Sequence, residues 1–441
     1  MSQELDGILI SSDTPQWHER LRAIQHVVRQ ATYFKDGSKE DIQLDAIIEG
    51  VKTRKNRAIL EYTEKFDAVV LRSNDLRIRQ EDLQLAHNKI EADNASLMGS
   101  VRRAIANVRK YQSEIFGGVS KICSGGTGIR YTALKRVGIC VPAASAPLPS
   151  TVIMTAVPAQ IAGVQEIAVV SPPRFEGSIH PVILAVCHEL GISEVYRIGG
   201  AQAVGALAFG TETIKAVDKI VGPGNRWVQM AKRKVFGVVD IDSVAGPSEV
   251  LIIADENANP VWIAADMLSQ AEHAPGSAVV FTDSQMLAQQ ILNEVKQQAG
   301  KLKRAKETIG CLKKYSGIIV FERMEEAITQ ADYFAAEHLE IQCGSSSHAI
   351  AERIHNAGAI FIGRYSPVAV GDYFAGPSHT LPTGQTAKFF SAVTANDFVK
   401  STSLIEYDKE KLLKSAADII RLAEIEGLDA HANSVRLRQQ Q

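Results

Sequence analysis

Apolar positions recur at helical spacing through the first quarter of the chain. Trp17, Leu21, Ile24 and Val28 lie three or four residues apart and predict a helix within residues 1–35. Ile47, Val51, Ile59 and Leu60 mark a second helical stretch over about 39–66. Leu83, Ile90, Leu97, Val101, Ile105 and Val108 mark a third over about 80–115. From Val137 the period changes. Short apolar runs at 137–141, 166–170, 194–198 and 219–221 alternate with helix-like segments at 150–162, 180–190 and 201–209. Such runs, bounded by turn residues, read as buried strands. A second series follows, with strands expected at 249–254, 278–282, 317–321 and 359–363. Strands that alternate with helices point to parallel sheets covered by crossover helices. The pattern therefore predicts an α/β chain with two units, each Rossmann-like in style.

The last part of the chain departs from that alternation. Residues 376–386 are rich in Gly, Pro, Ser and Thr and predict a loop. Leu412, Ala416, Ile419, Ile420 and Ala423 then line one face of an amphipathic helix over 412–423. A helix after such a loop suggests a small C-terminal module that packs on another domain or another subunit.

Composition narrows the function classes. A chain of 441 residues implies two or three domains. A net charge of -2 argues against a nucleic-acid binder held by bulk electrostatics. Lys232, Arg233 and Lys234 form a small basic cluster, whose plainest reading is a solvated helix face. The five cysteines, Cys123, Cys140, Cys187, Cys311 and Cys343, contain no C-x-x-C spacing. That argues against a zinc ribbon or a redox pair, and it suits a reducing cytoplasm. The acidic start, Met1 to Asp6, has no signal-peptide core, and no apolar run approaches the length of a membrane span. The expected location is therefore the cytoplasm, with no membrane partner.

Proton- and metal-competent side chains concentrate in the second half. Gln270 and His273 are three apart, so on a helix they share a face. An amide oxygen and an imidazole nitrogen there can bind a divalent metal, and Asp372 and His431 can complete an all-nitrogen-and-oxygen set. Helix geometry turns Glu272 away from the Gln270 face. Glu337 and His338 are an acid/base candidate, at a helix end or in a loop where both can face one cleft. Histidine titrates near neutrality and suits repeated proton transfer. Taken singly, each of these residues is more simply a surface or core side chain. Gly222-Pro-Gly-Asn225 and Gly199-Gly-Ala-Gln202 are strand-to-helix turns whose N–H groups can approach a phosphate, but neither is G-x-G-x-x-G. Ala245-Gly-Pro-Ser-Glu249 is a turn into a strand with Ser248 as a polar handle.

Taken in order, Gly222 to Asn225, Ala245 to Val250, Leu268 to His273, Ala336 to Glu340, Gly371 to Tyr373 and Ser378 to Thr383 resemble histidinol dehydrogenases. The resemblance extends from about residue 35 to His431. It implies oxidation of L-histidinol to L-histidine through L-histidinaldehyde, with two NAD and one Zn2+ per subunit, in histidine biosynthesis. It implies Gln270, His273, Asp372 and His431 as zinc ligands and Glu337 and His338 as the catalytic pair. It also implies Ser248, His379 and Glu426 as substrate contacts, beside His338 and the zinc ligands, and Gln202 and Asn225 in the NAD region. The implied fold is two incomplete Rossmann-like parallel-sheet domains with small helical N- and C-terminal modules. Residues 1–34 would form the N-terminal module. Residues 35–136 and 246–393 would form the first Rossmann-like domain, 137–245 the second, with the NAD region, and 394–441 the C-terminal module. A homodimer is implied in which that last module serves the partner's site. One segment departs from the family: Cys140 stands where it often has Tyr, and Ala143-Ala144 where it has glycines. This is read as a modified cofactor pocket. The alternatives are an NAD-dependent paralogue acting on another small polar alcohol, or a metal- or nucleotide-binding regulatory protein without turnover. The intact Glu337-His338 pair speaks against the second.

Overall fold

A computed structural model describes residues 2–30, 33–123, 125–143, 147–273 and 275–440. Its strands, in chain order, are β1 (Leu9–Ser11), β2 (Lys121–Cys123), β3 (Thr127–Ala133), β4 (Arg136–Cys140), β5 (Glu166–Val170), β6 (Glu194–Tyr196), β7 (Lys219–Val221), β8 (Asp240–Ile241), β9 (Glu249–Ala254), β10 (Ser277–Thr282), β11 (Ser316–Val320), β12 (His338–Gln342), β13 (Ala359–Ile362) and β14 (Val399–Ile405). The first nine helices are α1 (Gln16–Gln30), α2 (Lys39–Arg54), α3 (Asn56–Asp67), α4 (Gln80–Asp93), α5 (Ala95–Ile115), α6 (Pro149–Ala162), α7 (Pro181–Glu189), α8 (Gly200–Phe209) and α9 (Arg226–Val235). They are followed by α10 (Pro260–Ala271), α11 (Gln285–Ala299), α12 (Ala305–Tyr315), α13 (Met324–Phe334), α14 (Ser347–Ala351), α15 (Val368–Tyr373), α16 (Lys409–Ile425) and α17 (Asp429–Gln439). Residues 2–116 and 134–398 belong to one compact unit, and 117–133 with 399–441 belong to a second.

Two parallel sheets organise the first unit. The larger has the order β1-β11-β10-β9-β12-β13, every pair parallel. Every residue of β9 to β12 is buried, as expected where helices cover both faces. Alternation along β9 divides the core. Val250 and Ile252 pack with Ile263 and Met267 of α10 and Ile291 of α11. Leu251 and Ile253 face the other way, toward Trp17, Leu21 and Ile24 of α1 and Ile328 of α13. The smaller sheet has the order β6-β5-β4-β7-β8, again all parallel. Its core joins Leu44, Ile47 and Val51 of α2 to Val204 and Leu207 of α8. Helix α2 packs on α8, α4 on α7 and α5 on α6.

The expected α/β class with two parallel sheets is what the chain adopts, and the local differences have physical causes. The expected helix over 39–66 is two, because Lys55 breaks the run at φ 52. The expected helix over 80–115 breaks at Asn94, whose side chain accepts from Leu97 N and caps α5. Helix α10 stops at Ala271, so His273 lies just beyond it and not on a shared helical face; a turn links His273 N to Gln270 O at 3.3 Å. His338 opens strand β12 instead of ending a helix or lying in a loop. His-Leu-Glu-Ile-Gln alternates polar and apolar residues, yet all five are buried in the sheet interior. The solvated reading of the basic cluster fails at Lys232, which is fully buried in an ion pair with Asp242.

The second unit is built separately. β14-β3-β2 form an antiparallel sheet, with Val399 opposite Ala133 and Ile405 opposite Thr127. Asp408 caps α16 by accepting from Lys411 N at 2.8 Å. Helices α16 and α17 pack on one another through buried Ala416, Ala423, Ala432 and Val435. Among the described residues no helix is long and apolar enough to cross a membrane.

Candidate active site

The carboxyl ends of β4, β5 and β7 open on a cavity of about 300 Å³. Its lining includes Cys140, Pro172, Gln202, Asn225 and Trp227. Crevices at this end of a parallel sheet are where nucleotides bind in open α/β folds. Its walls approach so closely that glycine is required. Gly222 has φ +105, and a Cβ there would lie 2.3 Å from the Cys140 carbonyl oxygen. Gly199 lies against the Pro172 ring, where a Cβ would come within 2.6 Å of it. Asn225 caps α9, its Oδ1 accepting from Trp227 N at 3.1 Å and Val228 N at 3.2 Å. Gln202 lies in the first turn of α8 and is buried. Cys140 faces this space as a neutral thiol, because burial pushes it up to about 12. Of the departure at Ala143-Ala144 and the following Ser145-Ala146, residues 144–146 lie outside the described residues; Ala143 bridges to Pro147 and lines the cavity.

A buried ion pair holds the Gly222 turn. Lys232 Nζ pairs with Asp242 and also donates to Gly222 O at 3.1 Å. The other Asp242 oxygen accepts from Gly222 N at 2.8 Å. Both main-chain groups of Gly222 are thereby fixed by side chains from α9 and the end of β8.

A second cavity, of about 200 Å³, is lined by His338, Phe361, Asp372, Ser378 and His379 among others. It runs along edge strand β13, from His338 at the amino end of β12 to Ser366 beyond the carboxyl end of β13. Ring His338 has its Nδ1 3.0 Å from the Glu249 carbonyl oxygen. A carbonyl only accepts, so Nδ1 carries the hydrogen. Nε2 is buried, has no hydrogen-bond partner among the described residues, and lies 3.7 Å from Asp372 Oδ1. Glu337 sits beside the ring, its Oε2 3.5 Å from Nδ1 and accepting from Glu249 N at 2.8 Å. The Ser248 hydroxyl hydrogen-bonds the same carboxyl. Burial pushes Glu337 up to about 7 and Glu249 up to about 8, the Glu337 charge adding to the latter. Burial opposes a charge on His338, but the Glu337 and Asp372 carboxylates outweigh it and push the ring up to about 9. His379 is fixed in a matching way. Its Nδ1 donates to Asp372 O at 3.1 Å, and its Nε2 faces the Thr151 hydroxyl at 3.5 Å. Burial holds His379 below the usual imidazole range, so it stays neutral near pH 7.

The first unit thus places His338, Asp372 and His379 on the wall of one cavity, with Glu337 beside the His338 ring and Ser248 bonded to the Glu337 carboxyl. Gln270 is buried at the end of α10, and His273 is exposed in the turn that follows. The neighbouring Glu272 and Asp372 both act on Tyr373. Among the described residues no three or more His, Cys, Asp or Glu side chains form a group that could hold a metal ion. Glu426 and His431 belong to the second unit, at the end of α16 and in the first turn of α17, and both are exposed. Sequence reasoning did not single out Thr151, Glu249, Asp266 or Asp242. Glu249 lay inside a quoted turn, and a carboxylate opening an apolar strand was a usable signal.

The family model "Histidinol dehydrogenase" matches residues 32–439. The chain belongs to the histidinol dehydrogenase family. A histidinol dehydrogenase from Rhodopirellula baltica is 45% identical over 398 residues, covering 90% of this chain and 86% of that one. One from Oceanobacillus iheyensis is 44% identical over 424 residues, covering 94% and 98%. The crystal structure of histidinol dehydrogenase from Elizabethkingia anophelis is similar with a TM-score of 0.88 and 32% identity over 98% of both chains. Membership accounts for the order of the motifs and for an α/β chain with two parallel sheets.

Proposed function

We propose that this protein oxidises L-histidinol to L-histidine through L-histidinaldehyde, the closing steps of histidine biosynthesis, reducing two NAD with one zinc ion per subunit. Family membership supports the activity. The observation that carries the mechanism is His338, which lines the cavity with Nδ1 tied to Glu249 O, while Nε2, 3.7 Å from Asp372 Oδ1, has no hydrogen-bond partner among the described residues.

The donor set for zinc is Gln270, His273 and Asp372 with His431 from the second subunit of a homodimer, all nitrogen and oxygen, which suits zinc chemically. Zinc there would supply positive charge that offsets Asp372, lowers the His338 ring and fixes the amine and imidazole of the substrate. The protein's residues do the rest. Gln202 and Asn225, which line the cavity at the carboxyl ends of the smaller sheet, would hold NAD there. His338 Nε2 takes the hydroxyl proton while hydride passes to NAD, giving the aldehyde. Glu337 then takes a proton from water as the water oxygen bonds to the aldehyde carbon, and His338 returns its proton to the former aldehyde oxygen, giving the hydrate and a neutral ring. His338 takes the hydrate's hydroxyl proton as the second hydride leaves. Neutral His379, Ser248 and Glu426 hold the substrate's polar groups.

NADH formation by the zinc-loaded protein with L-histidinol tests this. Two NADH per histidinol, lost on chelation and restored by zinc, is the expected result. No NADH while zinc stays bound would refute the assignment and point to another alcohol. The cytoplasm and a homodimer sharing its sites belong to the same proposal, supported by the exposure of Glu426 and His431 on a separate compact unit. Mixing inactive His338→Asn and His431→Ala proteins should then restore about a quarter of wild-type activity, since one site in each hybrid dimer is intact. No recovery in demonstrated hybrids would refute the sharing.

A further inference from the structure

Two carboxyls, Glu340 buried and Asp266 half-buried, take no part in the chemistry above. Glu340 is two residues beyond His338 on β12 and so shares its face of the strand. Asp266 lies on α10, one helical turn before Gln270. The two carboxyls are hydrogen-bonded to each other, and neither has a Lys or Arg partner among the described residues. Gln342, next on the same face, bridges them. Its Nε2 donates to Asp266 Oδ2 at 3.1 Å and to Glu340 Oε2 at 3.0 Å. The remaining Glu340 oxygen accepts from Val368 N at 3.0 Å. Val368 is the first residue of α15, and Asp372 is one turn further along it.

One carboxyl therefore joins the three elements that bear His338, Gln270 and Asp372. The surroundings are apolar: Ile252, Ile263, Met267 and Val368 belong to the same core cluster. Two touching carboxylates cannot both stay charged in such an interior. Burial, with Asp266 alongside, pushes Glu340 up to about 8, so one proton is retained between them near neutrality. The retained proton makes one carboxyl a donor to the other and leaves Glu340 Oε1 free for Val368.

We propose that the hydrogen-bonded Glu340–Asp266 pair is a positioning device that sets α10 and α15 on β12, so that Gln270 and Asp372 present their oxygens to a divalent cation. The proposal rests on the reading of Gln270 and Asp372 as zinc ligands. Glu340→Gln keeps the bond to Asp266, where its amide donates, and the bond to Val368, from which its oxygen accepts, and loses only the bond from the Gln342 amide, which is also a donor. Glu340→Leu fills the space and removes all three bonds.

The measurements are zinc affinity by competition with a chromophoric chelator, the visible spectrum of the cobalt-loaded protein, and NADH binding by fluorescence. Glu340→Gln should keep zinc affinity within about threefold of wild type and leave the cobalt spectrum unchanged. Glu340→Leu should bind zinc about 10–100-fold more weakly, the usual effect of losing support behind a metal ligand, and shift the cobalt spectrum. NADH binding should be unchanged in both, which a general loss of structure would not allow. If Glu340→Leu does not fold, Asp266→Leu, which leaves the Val368 bond in place, is read by the same criteria. Wild-type zinc affinity in the Leu variant, or equal weakening of zinc and NADH, overturns the positioning role alone. A wild-type protein that binds neither zinc nor cobalt overturns the ligand reading and this proposal with it.

Discussion

The two parallel sheets offer different parts to their cavities. The smaller sheet uses its carboxyl ends, where Gly199 and Gly222 press turns against Pro172 and the Cys140 carbonyl. The larger offers edge strand β13 and the amino end of β12, beside which Glu249, Glu337 and His338 are buried together. One site is made by backbone shape and close approach; the other by ionisable groups removed from water. The first can cradle a large ligand without altering it. The second holds protons near the pH where they move, which is what acid/base chemistry needs.

Variants can break this contrast from either side. His338→Asn should lower kcat by about 10²–10⁴-fold while the thermal midpoint and metal content stay near wild type. A loss under tenfold would show that the amino-end cluster is structural. Lys232→Met strands Asp242 in the interior and should cost about 3–5 kcal/mol in urea unfolding. Unchanged stability would mean that the Gly222 turn needs no ionic support. Gly222→Ala puts a side chain at a left-handed φ against Cys140 O. It should cost about 1–3 kcal/mol, seen as a raised KM for NAD with KM for histidinol unchanged. If both constants rise together, the two sites are not separable.

The smallest effect concerns acid stability away from both sites. Arg136 hydrogen bonds, and then the Tyr196 hydroxyl, hold Glu194 down at about 2. A folded value below the ordinary 4.5 gives stability that is present above 4.5 and lost as pH falls toward 2. Glu194→Gln should flatten the fall in thermal midpoint across that window. An equally steep fall in the variant would assign the acid sensitivity elsewhere.

Much of the architecture was visible in the order of apolar runs. The strands expected at 166–170, 219–221 and 249–254 lie where they were read, because fully buried parallel strands are unbroken apolar stretches. β12 escaped notice because its polar residues are buried, and their partners come from α10 and α15, far away in sequence. Lys232 was misread for the same reason, as Asp242 lies beyond the end of its helix. The short strands β1 and β8 carry too few residues to show a period. Among the site residues, Glu337 and His338 drew attention by their chemistry. Thr151 and Glu249 act through contacts that only the fold creates.

Strand β1 has a consequence for biosynthesis. Leu9 pairs with Ile318, so the outermost strand of the larger sheet waits for about 300 further residues before its partner exists. At ribosomal speeds of about 5–20 residues per second, that wait is roughly 15–60 s. The smaller sheet, drawn wholly from residues 136–241, can close during the interval. The nascent chain therefore carries a lone edge segment past a finished neighbour. Its shortness, three residues, limits the chance that it pairs with the wrong strand in the meantime.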